Sequence, residues 1–282
     1  VTPLAHMQAR DLAPFREARH RAGAARFDSA MLRAVRRFYF DLYTGTWGHP
    51  DLAPVLARIP SVMMWDDHDI FDGWGSWPPR LQESPLYQGL YAAAREAFAA
   101  FQLGEPPEAP LPPPFLDAGG RHYGWLQRVG GVALWAPDLR SERTQSRVLG
   151  DQGWRDVHAA LSRARGCRQL FVVSTVPLLN TPMRFLERLH FAVPGHQYFQ
   201  DDLRDQWQSY AHQREWARLI DALPRFRAET GARVSVLSGE IHMGAWGLLE
   251  APEGRLHQLI SSGVVHPPPP PAAVRIMDWM AR

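Results

Sequence analysis

Residues 61–77 read SVMMWDDHDIFDGWGSW. A short apolar run leads straight into Asp66, Asp67, His68 and Asp69, with Asp72 three residues on. Crowding four carboxylates and an imidazole into seven positions is costly, because neighbouring anions repel one another. A cation in their midst removes that cost. Hard carboxylate oxygens beside a borderline imidazole suit divalent or trivalent ions such as Ca, Mn, Fe or Zn. The pattern predicts a short buried strand over Ser61–Trp65 with a metal site at its mouth.

A second acid-plus-histidine loop lies far downstream. Arg233–Leu237 predicts a strand, and it runs into Ser238-Gly239-Glu240-Ile241-His242. In open α/β sheets ligands gather beyond the carboxyl ends of strands, so two such loops can converge on one site although distant in sequence. Gly239 relieves the steric limits where the backbone must turn sharply after the strand.

The remaining pattern alternates helices and strands. Residues 4–22 and 27–42 have helical composition, and Asp28 or Ser29 caps the second stretch, whose apolar Leu32, Val35 and Tyr39 recur at helical spacing. Together they make residues 1–46 a helical N-terminal segment. Leu86–Leu103 predicts a core helix stopped by Gly104, followed by the proline-rich connector GEPPEAPLPPP over residues 104–114. Strands over Arg121–Val129 and Val132–Trp135 are joined by a Gly130-Gly131 turn. A helix over Asp151–Arg163 leads into a strand over Gln169–Ser174. Residues 177–200 lack periodicity and read as a functional loop. A helix over Asp205–Leu223, with Trp207, Tyr210, Trp216, Leu219 and Ile220 as its core stripe, precedes strands over Arg233–Leu237, Ala245–Glu250 and Leu256–Ile260. The whole reads as an α/β or α+β layered fold in one domain over residues 1–282.

Composition narrows the function. The chain has 282 residues and a net charge of only +2, which gives no electrostatic case for a nucleic-acid or membrane partner. All 31 basic residues are arginine, so lysine Schiff-base chemistry is excluded. The single cysteine, Cys167, excludes an internal disulfide framework and reads as a buried small hydrophobe. No apolar run approaches the roughly 18 residues of a membrane span. Compartment and oligomeric state have no signal here.

These motifs resemble the PhoD-like (alkaline phosphatase D) branch of the calcineurin-like metallophosphoesterases. The resemblance is carried by Trp65-Asp66-Asp67-His68-Asp69 with Asp72-Gly73-Trp74-Gly75-Ser76, and by Ser238-Gly239-Glu240-Ile241-His242. Further matches are Pro137-Asp138-Leu139-Arg140-Ser141-Glu142-Arg143-Thr144 and Ser261-Ser262-Gly263-Val264-Val265-His266. It implies a sandwich of two central mixed β-sheets flanked by helices, a binuclear metal centre, and hydrolysis of a small-molecule phosphomonoester or phosphodiester by a metal-activated hydroxide. Asp67, Glu240 and His242 would be metal ligands, and His68 would stabilise the transferring phosphoryl group or protonate the leaving oxygen. The family's first metal motif, with Gly-Asp-Gln and a bridging aspartate, is not found before Trp47, so the resemblance also implies a domain incomplete at its N-terminus. Gly150-Asp151-Gln152 imitates that motif but reads as a helix start.

Other candidates carry a functional and a bland reading side by side. Arg140 has the planar fork that suits phosphate, with Asp138 to hold it, and a structural ion pair is the alternative. Ser174 and Thr175 offer hydroxyls to a metal or phosphate through water, or simply form a turn. Asp66 and Asp69 stand as outer-sphere or substrate candidates beside the metal loop, and for Asp67 and His68 the bland reading is a capping or salt-bridged turn. His190 and His196 line a substrate entrance or are solvated; Trp74 and Trp77 wall a pocket or fill the core. Two rival functions stay open: a truncated or degenerate member that binds metal weakly or not at all, and a single-metal hydrolase using only Asp67, Glu240 and His242.

Overall fold

The computed structural model describes residues 26–71, 73–179, 207, 209, 211–239, 244–261 and 275. The expected helix over residues 4–22, Asp72, nearly all of the 177–200 loop with His190 and His196, the pair Glu240 and His242, and His266 lie outside the described residues. The chain divides into two compact units, Val1–Leu111 and Pro112–Arg282, with the boundary inside the proline-rich connector.

In the first unit the described elements are helices: α1 (Ser29–Trp47), the single turns α2 (Ala53–Leu56), α3 (Asp67–Ile70) and α4 (Pro79–Gln82), and α5 (Pro85–Ala97), which continues as a π-helical turn over Phe98–Leu103. Asp28 is the N-cap of α1, its carboxylate accepting from the Met31 N–H at 2.8 Å. Ser84 caps α5 in the same way, and Gly104 at φ 70° ends the π turn in the left-handed region that glycine enters without strain. Buried Val35, Tyr39 and Tyr43 give α1 its inner stripe, and Leu86, Leu90, Ala94 and Phe98 give α5 the matching one. An aromatic cluster fills the space between: Trp74 stacks on Tyr91 at 4.7 Å, and Trp65 leans on Tyr91 and Phe98. Trp74 is thereby core, and Trp77 packs edge-on against Tyr87.

Residues 61–66 are irregular rather than a strand. Only Trp65 of that run is buried, while Val62 lies exposed. An apolar run of this length is ambiguous by itself, and this one finds no ladder among the described residues.

The second unit is built on a six-stranded mixed sheet in the order β1-β2-β3-β4-β6-β5. Its strands are β1 (Trp125–Val129), β2 (Val132–Ala136), β3 (Gln169–Ser174), β4 (Arg233–Ser238), β5 (Ala245–Ala251) and β6 (Gly254–Ile260), with helices α6 (Asp151–Ala164) and α7 (Gln213–Thr230) in the crossovers. The middle strands β2, β3, β4 and β6 run parallel, and hairpins β1–β2 and β5–β6 close both edges antiparallel. Gly130 at φ 57° makes the first hairpin turn possible. The described residues contain this one sheet, where the resemblance implied two.

Two elements differ from expectation at their boundaries. The first strand begins at Trp125, because Asp117 ties residues 119–121 into a turn through the Gly119 and Arg121 N–H groups. The helix expected over Asp205–Leu223 starts at Gln213 and continues to Thr230, carrying Pro224 inside. Proline there reads as a stop, but the extra turn buries Phe226 in the core. The helix Asp151–Ala164 confirms that Gly150-Asp151-Gln152 is a helix start.

Helices α6 and α7 cover one sheet face. Val157, Ala160 and Ala164 of α6 and Leu219, Leu223 and Phe226 of α7 form a single core with Ala133, Trp135, Leu170, Val172, Val234, Val236 and Leu256 from the strands. Cys167 joins that core, as expected of a buried hydrophobe. The other face is less covered: Val173, Leu237, Leu259 and Trp246 stand side by side across four strands, and the last two are exposed.

Helices α6 and α7 lie side by side with their starts together. Trp154 Nε1 donates to Glu215 Oε1 at 3.2 Å near both N-termini, and Arg165 pairs with Glu229 at 2.5 Å near both C-termini. Each helix ends within a few residues of the next strand's amino end. Both helix starts therefore face the carboxyl edge of the parallel strands, the edge where ligands of such sheets bind.

Candidate functional site

The Trp65–Asp69 motif folds into the turn α3. Asp66 is its N-cap with extended backbone, and Asp66 and Asp69 form a capping box. The Asp66 N–H donates to Asp69 Oδ2 at 2.8 Å. Asp69 Oδ1 accepts from the side chains of Gln102 at 2.5 Å and Tyr43 at 3.3 Å. Burial pushes the Asp69 carboxyl up to about 6, with the Asp66 N–H pulling the other way and the Asp66 charge adding to the rise. Gln102 sits on the π-helical turn that ends α5, a distortion that re-aims side chains and recurs at functional sites.

Asp67 is buried, and its Oδ2 accepts the Gly73 N–H at 2.9 Å. Gly73 has φ 73°, so the returning loop can bring its amide to that oxygen. His68, next in the same turn, is exposed. The turn thus holds one carboxylate inward and fixed, with an imidazole beside it in solvent. Tyr39 Oη anchors the turn's end by donating to the Ile70 carbonyl at 2.6 Å.

The second unit brings other candidates to the carboxyl edge of its sheet. Asp138 follows β2 and is wired into its own loop. Its Oδ1 accepts from the Arg140 and Ser141 N–H groups at 2.9 Å each, and its Oδ2 from the Tyr123 N–H at 2.8 Å and the Ser141 hydroxyl at 2.5 Å. Arg140 is 1% exposed. Asp138 therefore acts as the clip of the loop that carries Arg140. Ser174 Oγ donates to the Val176 carbonyl at 2.5 Å, the turn-forming role. The Thr175 and Ser238 hydroxyls are buried and have no hydrogen-bond partner among the described residues.

Ser238 closes β4, two residues before Glu240, and pairs in register with Ser174. The chain leaving β3 is held firmly: Gln258 Oε1 accepts from Leu178 and Leu179 N–H at 2.8 and 2.9 Å, and Trp216 donates to the Leu178 carbonyl at 2.6 Å. An orphan buried hydroxyl costs free energy unless a ligand or water meets it. Sequence reasoning passed over Ser238; its place one residue before Gly239, at a strand's carboxyl end, was the available signal.

A second missed residue is His122. It is 1% exposed, with Nε2 3.2 Å from Glu142 Oε2 and Nδ1 3.7 Å from Asp156 Oδ2. Glu142 also accepts the Gln152 and Gly153 N–H groups at 3.3 and 2.8 Å, capping α6 from outside the helix. The Pro137–Thr144 motif thus works as scaffold: Asp138 clips the loop and Glu142 caps the helix that follows.

Among the described residues no group of three or more His, Cys, Asp or Glu is arranged to hold a metal ion. Asp69 is committed to three residues, Asp66, Gln102 and Tyr43, and Asp67 beside it holds a fixed, inward carboxylate of the kind a hard cation accepts. Among the described residues no helix is long and apolar enough to cross a membrane.

The profile of PhoD related phosphatases matches residues 15–197 and 190–281, and the chain belongs to that family. It is 22% identical over 284 residues to the uncharacterized protein YGR266W of Saccharomyces cerevisiae, covering 80% of this chain and 40% of the yeast protein. The chain thus spans well under half the length of that relative. No solved structure matches it significantly.

Proposed function

We propose that the chain carries a metal-dependent phosphoester hydrolase site acting on small phosphomonoesters or phosphodiesters. Membership of the PhoD related phosphatase family supports the phosphatase chemistry. The observation that carries the reading is the α3 turn, in which Asp67 is buried and fixed by the Gly73 N–H while His68 beside it stays open to solvent. Asp67, Glu240 and His242 would hold the metal, and Fe, Ca, Mn and Zn all suit that donor set. When bound, the ions would supply the positive charge that polarises the phosphoryl group and acidifies the attacking water.

His68 would stabilise the transferring group or hand a proton to the leaving oxygen. Arg140 would add a guanidinium for the phosphate oxygens, with Asp138 fixing its loop and Asp66 fixing the α3 turn. Thr175 stands at the same sheet edge and would offer its hydroxyl to water or phosphate, Ser174 beside it would do so only through the oxygen whose proton goes to the Val176 carbonyl, and His196 would line the entrance.

A non-catalytic member of the same family is the second reading. It draws on the way Asp66 and Asp69 satisfy each other and Asp69 takes in Gln102 and Tyr43, closing part of the acidic cluster without a cation. Turnover of a chromogenic phosphodiester with added Mn, Ca, Fe or Zn separates the two. His68→Ala should keep the metal and lower turnover on the order of 100-fold or more. Turnover equal to wild type in that variant removes His68 from the chemistry, and no metal-dependent turnover at all favours the second reading.

A further inference from the structure

Helices α6 and α7 leave an open groove of about 360 Å³ between their first turns. Its lining includes Arg147, Arg214 and Arg218, with Trp154 as an aromatic wall and Asp151 and Glu215 as the two acids. We infer that this groove, on the carboxyl-edge side of the sheet, binds a phosphate-class oxyanion through Arg147, Arg214 and Arg218.

The charge balance favours an anion. Three guanidinium groups against the Asp151 and Glu215 carboxylates leave one excess positive charge, and the Glu215 oxygens are held by the Val148, Leu149 and Trp154 donors at 2.5, 3.3 and 3.2 Å. None of the three arginines forms an ion pair among the described residues. Arg147 Nε donates to the Glu142 carbonyl, Arg218 meets the His158 ring at 3.2 Å, and Arg214 makes no such contact. Three guanidinium groups around one concavity repel each other, and an oxyanion bridging them relieves that repulsion.

The geometry favours phosphate in particular. The Arg218 guanidinium lies 3.7 Å over the Trp154 ring, so its face is stacked. Stacking fixes the plane and leaves the N–H groups not turned to His158 to address an oxyanion, the edge-on geometry in which arginine recognises phosphate. Trp154 is itself held by its bond to Glu215, so the platform is built rather than incidental.

Two sources of such an anion are compatible with this chemistry. One is a second phosphate of the substrate, which rests on the hydrolase reading above. The other is free inorganic phosphate acting as a regulator.

The test begins with calorimetric titration of the chelator-treated chain with inorganic phosphate, so that metal chemistry is silent. Arg214→Gln with Arg218→Gln should weaken binding at least tenfold, while Arg58→Gln with Arg80→Gln, two exposed arginines elsewhere, should not. Asp151→Asn should tighten binding, a gain that misfolding does not imitate. Equal weakening in both double variants, or no phosphate binding to wild type, overturns the proposal. With metal restored, a raised KM confined to substrates bearing two phosphates identifies the substrate as the source. A phosphate effect on kcat for a single-phosphate substrate, lost in the groove variant, identifies the regulator. The calorimetric result stands even if the chain shows no turnover, so failure of the groove and failure of the hydrolase reading are separate outcomes.

Discussion

Gln102 donates its side-chain amide to Asp69 Oδ1 at 2.5 Å, joining the π-helical end of α5 to the acidic turn α3 across 33 residues of chain. The same amide also reaches Tyr43 Oη at 2.8 Å, so Gln102, Tyr43 and Asp69 form one closed network. Such a network fixes the turn that carries Asp67 and His68, and removing one member leaves the others with unmet bonds.

Gln102→Leu should therefore destabilise the chain by about 1–2 kcal/mol, the cost of stranding partly buried acceptors. Urea denaturation reads this directly. An unchanged midpoint would mean the network contributes nothing to holding α3.

The Asp117–Arg121 pair sets an acid-side dependence of stability. Burial alone would raise Asp117, but the paired Arg121 side chain and the Arg121 and Gly119 N–H groups outweigh it and hold the carboxyl below its usual range. A depressed folded value means that the stabilisation is complete above the unfolded pKa of about 3.9 and is lost as pH falls through the folded value. Asp117→Asn should lose on the order of 1 kcal/mol at neutral pH, and the gap to wild type should close in acid. A gap that is constant across pH would contradict the assignment.

The orphan hydroxyls at the carboxyl edge give a prediction of opposite sign for stability and activity. Ser238→Ala and Thr175→Val remove buried polar groups that lack partners among the described residues, so stability should hold within about 0.5 kcal/mol or rise. Hydrolysis should fall if these hydroxyls meet water or phosphate. Loss of stability with unchanged turnover would make both purely structural.

Much of the fold was legible because it rests on local chemistry. Asp28 and Gly104 mark their helix boundaries through capping and a left-handed residue, and Gly130-Gly131 marks its hairpin. The irregular course of Ser61–Trp65 was not legible, since a short apolar run fits a strand and an irregular segment with a single buried anchor alike, and only a partner strand decides between them. The last turn of α7, past Leu223, was not legible for the converse reason: proline disfavours a helix locally, and the turn that carries Pro224 also buries Phe226 in the core.

The candidate site divides along the same line. Asp66, Asp67, His68 and Asp69 were visible as a cluster, but the capping box between Asp66 and Asp69 depends on backbone direction, and the tie to Gln102 on a packing distant in sequence. His122 was invisible because Glu142 and Asp156, its neighbours in space, lie 20 and 34 positions away in the sequence.

The most direct test of the central claim is the metal content of the purified chain and of its His242→Ala variant by elemental analysis, after equilibration with Mn, Fe, Ca or Zn. Bound metal in the wild-type chain that falls in the variant is the predicted result. A wild-type chain without metal, or a variant that keeps all of it, would contradict a metal site built on Asp67, Glu240 and His242.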